Sequence, residues 1–391
     1  MEKSRKILAF TGIRSEYDLQ YSIAKSLTEM ENIEFQFLVF GAHLSEKFGK
    51  TINYIIKDGF KICDMVETFP DDDSYSGKVK TISILLNKLA ALFKNEKPDI
   101  VLVAGDREEV ITASIAATYF NIPICHIFGG DKTFPDQLGD IDEQIRNAST
   151  KLAHLHFVIH DDHKERILKM GEEPWRVNNV GSPALDKYNL FNFPDISKLS
   201  DFFGISLLKK SYAVLIHHSL PNNIEESVFE LNNILSAIQQ SGITTFISYP
   251  NNDPGNTLII DCINRYAKSN QNLIVYQNLP REYFIPLIQN SKFLIGNSSM
   301  GILECPFLLL PAINVGKRQQ ERLNAGNVIF CNSSKVSITN AIEKVLNDEE
   351  FNSNLKSIKN FYGDGNSGFK IASILATITL DNVLLAKKIT Y

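Results

Sequence analysis

Cysteine is scarce and scattered in this 391-residue chain. Cys63, Cys125, Cys262, Cys305 and Cys331 are odd in number and show no CxxC spacing, which excludes a disulfide framework and suggests no zinc site. Glycine (21) and proline (14) are too few for a collagen-like or disordered chain, and 44% hydrophobic residues supply a sizeable core. Neither sign of charge dominates: 45 acidic against 40 basic side chains leave −5, so the chain has no global attraction for phosphate polymers or anionic lipid. Neither nucleic acid nor a membrane surface is expected as a partner. Long apolar runs are missing too; the opening MEKSRKILAFTG is too short for a signal core or a membrane span, and a cytoplasmic location is expected. There is no GxGxxG after the first strand and no GxxxxGK[ST], so no dinucleotide cofactor and no P-loop are indicated. His154, His156, His160 and His163 cluster without convincing metal-ligand spacing. No cofactor and no metal are expected.

What is present is a rhythm. Short apolar runs alternate with amphipathic segments: Lys6–Thr11, Glu34–Phe40, Asp99–Ala104, Ile122–Ile127 and His156–Ile159 read as buried parallel strands. Helices are predicted over Tyr17–Met30, Leu44–Asp58, Val79–Asn95, Glu109–Phe120, Asp142–Leu152 and Asp161–Met170. The pattern resumes with strands at Ala213–Ile216, Thr244–Tyr249, Leu273–Tyr276, Lys292–Gly296 and Pro311–Val315, separated by helices that include Met300–Phe307. This predicts an α/β protein of two doubly wound, Rossmann-like domains. The first covers residues 1–185 and the second 186–368, with a C-terminal helix over 369–391 that is expected to cross back to the first.

In such sheets ligands bind beyond the carboxyl ends of the strands, so the polar residues directly after each strand are the informative ones. The first domain offers Arg14 and Glu16, His43, Asp106 and Arg107, and Asp131, with Asp142 and Arg146 on the next helix. Several carboxylates at one mouth suit proton transfer, because neighbouring acids in a pocket titrate apart. Singly, each has a plainer reading: Asp142 as a helix cap, Arg146 as its i,i+4 partner. The second domain offers His217 and His218, then Tyr249–Asp253, then Gly296-Asn-Ser-Ser-Met-Gly301, then Lys317 and Arg318. Ser298 and Ser299, at a strand-to-helix turn, are candidates for holding a phosphate, with Arg318 as a permanent cation beside them and Glu304 in reach of a ribose hydroxyl.

Taken in order, Thr11–Glu16, Gly41–Leu44, Gly105–Arg107, His126–Asp131, Asp142–Arg146, Gly181–Asp186, Tyr249–Asn251, Gly296–Glu304 and Gly316–Gln319 resemble the UDP-N-acetylglucosamine 2-epimerase family. The resemblance is strongest to the hydrolysing branch that serves sialic- and legionaminic-acid-type sugars, and it runs through almost the whole chain. It implies a GT-B-like pair of Rossmann domains facing a cleft, commonly as a homodimer, with a UDP-sugar as substrate and UDP as product. It also implies that Asp106, Asp131 and Asp142 are catalytic. Ser298 and Ser299 would hold the diphosphate and Glu304 the ribose, with Arg318, Asn251 and His218 lining that site. Arg14, Arg107, His43 and Arg146 would complete the substrate contacts. The implied reaction removes the C2 proton and expels UDP to give a 2-acetamidoglucal; water then adds and C2 is reprotonated on its other face.

Four positions depart from the family pattern: Asp131 stands where Glu is usual, Asn147 where His is usual, and Ser219 where Pro is usual, and the loop 132–139 is a few residues longer. Asp136 in that loop, or Asp140 just after it, is an alternative to Asp142. UDP-N-acetylglucosamine is the first substrate implied and a UDP-linked 2,4-diacetamido-trideoxy sugar the second. A non-hydrolysing epimerase, a GT-B glycosyltransferase and a catalytically dead nucleotide-sugar sensor are the competing readings.

Overall fold

The computed structural model describes all residues except 1–3, 47, 69–74, 133–140, 192–194, 221–222, 252 and 321. It divides into two compact units, Met1–Leu190 with Tyr362–Tyr391, and Phe191–Phe361. The chain passes from one unit to the other at 190/191 and returns at 361/362.

The first unit is built on seven parallel strands, β1 (Arg5–Thr11), β2 (Ile33–Phe40), β3 (Ile62–Val66), β4 (Ile100–Ala104), β5 (Ile124–Ile127), β6 (Leu155–Val158) and β7 (Val177–Asn179), in the order β3-β2-β1-β4-β5-β6-β7. Helices α1 (Arg14–Thr28), α2 (Ile52–Lys57), α3 (Tyr75–Glu96), α4 (Glu108–Tyr119), α5 (Ile141–Leu152) and α6 (Asp161–Lys169) connect them. The central strands are buried on both faces, β4 along its whole length, which is why they read as unbroken apolar runs. The apolar core between sheet and helices includes Leu8, Leu38, Leu89, Phe93, Val101 and Ala113. Full burial of one such leucine is worth about 1.5–3 kcal/mol.

The second unit repeats the plan with six parallel strands, β8 (Tyr212–Ile216), β9 (Thr244–Ser248), β10 (Leu273–Tyr276), β11 (Phe293–Gly296), β12 (Ala312–Val315) and β13 (Val328–Cys331), in the order β10-β9-β8-β11-β12-β13. In both sheets the order reverses beside the first strand, so the topological switch points lie between β1 and β4 and between β8 and β11. Those are the crevices where an open α/β sheet takes its ligand. At the second of them Gly296 has φ +130° and leaves no room for a side chain, since a Cβ would lie 2.0 Å from the Ile216 carbonyl oxygen.

The structure adds strands the sequence pattern did not reveal. β3, β7 and β13 lie at sheet edges and are short or half exposed. The helix expected over Leu44–Asp58 is a 3₁₀ turn, Gly41–Leu44, followed by the six-residue α2. The one expected over Met300–Phe307 stops at Leu303. Near the C-terminus the helix Ser367–Thr377 packs on α1 within the first unit. Its first amides are capped by Asp186, whose carboxylate accepts from Ser367 N at 3.0 Å and Gly368 N at 2.6 Å. Gly368 permits the close approach, because a Cβ there would meet the Ser22 backbone at 2.6 Å.

Candidate active site

At the first switch point the turn Gly12–Ile13 joins β1 to α1 and the turn Gly105–Arg107 joins β4 to α4. Gly12 cannot carry a side chain: its Cβ would lie 2.6 Å from the Phe40 ring and 2.9 Å from Glu109 Oε1. Beneath the turn His43 is wholly buried, with Nε2 2.9 Å from Thr11 Oγ1 and Nδ1 2.8 Å from Thr51 Oγ1. Burial lowers its pKa to about 4, so it is neutral. Both ring nitrogens of His43, expected as a substrate contact, lie within hydrogen-bond distance of protein hydroxyls and brace the turn from below. Arg14 opens α1 with its guanidinium 4.5 Å from the Tyr54 ring centre and 3.6 Å from Asp18. Arg107 is partly exposed and lies 3.8 Å from Glu109.

The carboxylates are gathered by Arg146. Its side chain is 1% exposed; it is ion-paired to Asp106, donates to Glu143 at 2.6 Å and to the backbone carbonyl of Asp131 at 3.1 Å. Burial acts to lower its pKa and is outweighed by Asp106 and Asp131, so the net shift is upward and the charge is permanent. One buried cation therefore ties the end of β4, the end of β5 and helix α5 together. Arg146, expected as a substrate contact, is enclosed and organises the acids from within the fold.

Asp131 follows the tight turn Gly129–Gly130. Gly130 has φ +73°, and a Cβ would strike the His163 carbonyl oxygen at 2.3 Å. Helix α6 supports this turn: Arg166 donates to the Gly130 carbonyl at 2.8 Å, and His163 Nε2 lies 3.5 Å from Asp131 Oδ1. Asp142 lies in the first turn of α5 and is exposed, as is Asn147. Asp136 and Asp140 lie outside the described residues.

In the second unit Asn297 joins three strand ends. Its side chain accepts from His218 N at 2.8 Å and donates to His218 O at 2.9 Å. Its own carbonyl accepts from Arg318 at 3.0 Å and Gln319 at 3.3 Å. His218 Nδ1 accepts from the amide of Asn251 at 3.2 Å, which leaves Nε2 as the protonated nitrogen of the neutral ring. Burial, then Arg318, lowers its pKa to about 3. Asn251 also donates to Asp253 at 2.7 Å. Ser298 and Ser299 are half-buried, and Ser298 Oγ accepts from Met300 N at 3.3 Å. Glu304 is 9% exposed and follows the single helical turn Met300–Leu303. That turn is too short for a full helix dipole, so a phosphate here would rely on turn amides and on Arg318.

The structure thus places Asp106, Asp131 and Arg146 together, and places His218, Asn251 and Arg318 around Asn297. Sequence reasoning missed His163, Asn297 and Gln319 as parts of these clusters, and Glu109 beside Arg107. Glu109, three residues after Asp106, reads as an ordinary first-turn acid of α4, and Asn297 as a turn residue; only tertiary contacts give them further work. Among the described residues no group of three or more His, Cys, Asp or Glu could hold a metal ion, and no helix is long and apolar enough to cross a membrane.

Two doubly wound units, each with a polar cluster at its switch point, define a GT-B-like fold class. Residues 25–376 match the UDP-N-acetylglucosamine 2-epimerase family. A "UDP-N,N'-diacetylbacillosamine 2-epimerase (hydrolyzing)" of Legionella pneumophila is 32% identical, covering 98% of both chains. "Polysialic acid biosynthesis protein P7" of Escherichia coli is 32% identical over 92% of this chain and 90% of its own. The crystal structure of UDP-GlcNAc 2-epimerase from Neisseria meningitidis bound to UDP-GlcNAc superposes with a TM-score of 0.82 at 20% identity, covering 95% of this chain and 100% of that one. The chain belongs to the UDP-N-acetylglucosamine 2-epimerase family, in its hydrolysing branch.

Proposed function

We propose that this enzyme hydrolyses a UDP-linked 2-acetamido sugar with inversion at C2, releasing UDP and the free epimer. A base removes the C2 proton as the C1–O bond to UDP breaks, giving a 2-acetamidoglucal. Water then adds across the double bond, with hydroxyl to C1 and a proton to the opposite face of C2. The observation that carries the reading is the shared clamp of Arg146 on Asp106 and on the Asp131 backbone. It keeps two acids of separate loops in fixed relation, as paired proton transfers on two faces of one carbon require. Asp106, Asp131 and Asp142 are the groups for those transfers. Ser298, Ser299 and Arg318 would take the diphosphate and stabilise it as it leaves, with Glu304 at the ribose and Asn251 and His218 at the same nucleotide. Arg14 and Arg107 supply further cations from the first unit.

The sugar favoured first is the 2,4-diacetamido-trideoxy one. The Legionella relative carries that substrate in its name, as does a Campylobacter jejuni "GDP/UDP-N,N'-diacetylbacillosamine 2-epimerase (hydrolyzing)", 32% identical over 90% of this chain. UDP-N-acetylglucosamine is the second reading, favoured by the meningococcal relative named for it at 25% identity. Both nucleotide sugars, incubated separately with the enzyme in deuterium oxide and followed by NMR, decide between them. The expected result is free UDP with deuterium at C2 of the diacetamido product and much slower turnover of UDP-N-acetylglucosamine. Release of UDP without label at C2 would overturn the epimerase mechanism.

A further inference from the structure

Below the first switch point lies a pair of buried carboxyls outside the acid cluster just described. Glu16 on α1 is 6% exposed and Glu109 on α4 is 4% exposed, and both carboxyls converge on Gly12. Glu16 Oε2 accepts the Gly12 amide at 2.8 Å. Its other oxygen, Oε1, is buried and has no partner unless a carboxyl hydrogen on Glu109 supplies one. Glu109 Oε1 lies under Gly12, 2.9 Å from where a Cβ would stand, and 3.8 Å from Arg107 Nε.

From this geometry we infer that Glu16 and Glu109 hold one proton between them at neutral pH, and that this pair positions the Gly12 turn and Arg107 at the mouth of the sheet. Two buried carboxylates in contact cannot both ionise without strong repulsion. The groups facing the pair agree: Arg107 is the nearby cation, and Glu108, itself bonded to Lys78 at 3.1 Å, adds further negative charge. Burial, then the charge of Glu16, pushes Glu109 well above the usual carboxylate range, and burial also raises Glu16. The two residues are positioning residues, acting through the turn and Arg107. Their part in turnover rests on the epimerase reading; the proton itself does not.

The test uses the full-length enzyme at pH 7 with E109Q, E109A and E16Q. Infrared difference spectra of wild type against E109Q should show the band of a protonated carboxylic acid lost, a readout independent of any substrate. Glu230, pushed up to about 8 chiefly by burial, is a second protonated acid and cancels in this difference. E109A and E16Q should lower kcat/KM by about tenfold or more, the scale of a displaced binding turn. E109Q, whose amide can donate to Glu16, should rescue most of that loss. Absence of the protonated band overturns the shared proton whatever the substrate proves to be. E109Q as damaging as E109A, with wild-type folding by circular dichroism, overturns the positioning role.

Discussion

Arg146 and Asp106 form an ion pair between helix α5 and the end of β4, with the arginine side chain only 1% exposed. Removing one partner of such a pair strands the other as a poorly solvated charge, and for buried pairs this costs about 3–5 kcal/mol. Asp106 is partly exposed, at 29%, so water recovers some of that cost. Arg146→Ala should therefore lower stability by about 2–3 kcal/mol, the part of that range left after screening. It should depress kcat/KM more than a hundredfold, because Asp106 and the Asp131 turn lose their common anchor. Arg146→Lys, with one point charge for three acceptors, should recover stability better than turnover. Thermal melts beside steady-state kinetics check this; equal loss in both variants would mean that the guanidinium fork matters and the charge by itself does not.

Asp106→Asn and Asp131→Asn should each slow C2 exchange by about 10²–10⁴-fold, the range of general acid–base contributions. Affinity for UDP should change little, since the groups proposed for the nucleotide belong to the other unit. Single-turnover NMR in deuterium oxide with calorimetry of UDP binding separates the effects. An Asp131→Asn enzyme with full exchange would move the role to Asp142 or to Asp136 and Asp140.

How far these sites were legible before the fold differs by residue. Strands such as β4 and β8 are buried on both faces and announce themselves as apolar runs, so the doubly wound plan and the polar residues after each strand could be read directly. β3 and β7 could not, because ICDMV and VNN at sheet edges carry exposed polar positions that break the run. Motif position singled out Asp106, Asp131, His43 and Arg146 alike but could not show that His43 and Arg146 are buried, since a polar residue after a strand is equally placed to face a ligand or to brace the loop beneath it. Glu109 was hidden because its partner Glu16 is remote in sequence and adjacent only through β1–β4 pairing.

Arg318 donates to Asn297 O at 3.0 Å and is partly exposed, and it is the cation proposed for the diphosphate. Arg318→Ala should weaken UDP by about 1.5–3 kcal/mol, the usual worth of a charge-assisted hydrogen bond, while leaving the affinity for uridine unchanged. Titration calorimetry with both ligands checks it. Equal loss for uridine would indicate collapse of the Asn297 junction instead of a missing phosphate contact.

Acid sensitivity follows from the buried histidines. Burial lowers His43, His126, His154 and His217 to about 4 and His218 to about 3, against about 6.5 in an unfolded chain. Between those values the unfolded chain binds more protons than the folded one, so stability rises with pH. The contribution is complete above about pH 6.5 and is lost progressively as pH falls toward 4. Urea unfolding between pH 7.5 and 4.5 should show this slope. His43→Gln, which keeps a donor and an acceptor for Thr11 and Thr51 but cannot titrate, should be less stable than wild type at pH 7.5 and close the gap as pH falls. A gap that stays constant over this range would mean that His43 is already protonated in the fold, or that the unfolded chain does not take up its proton.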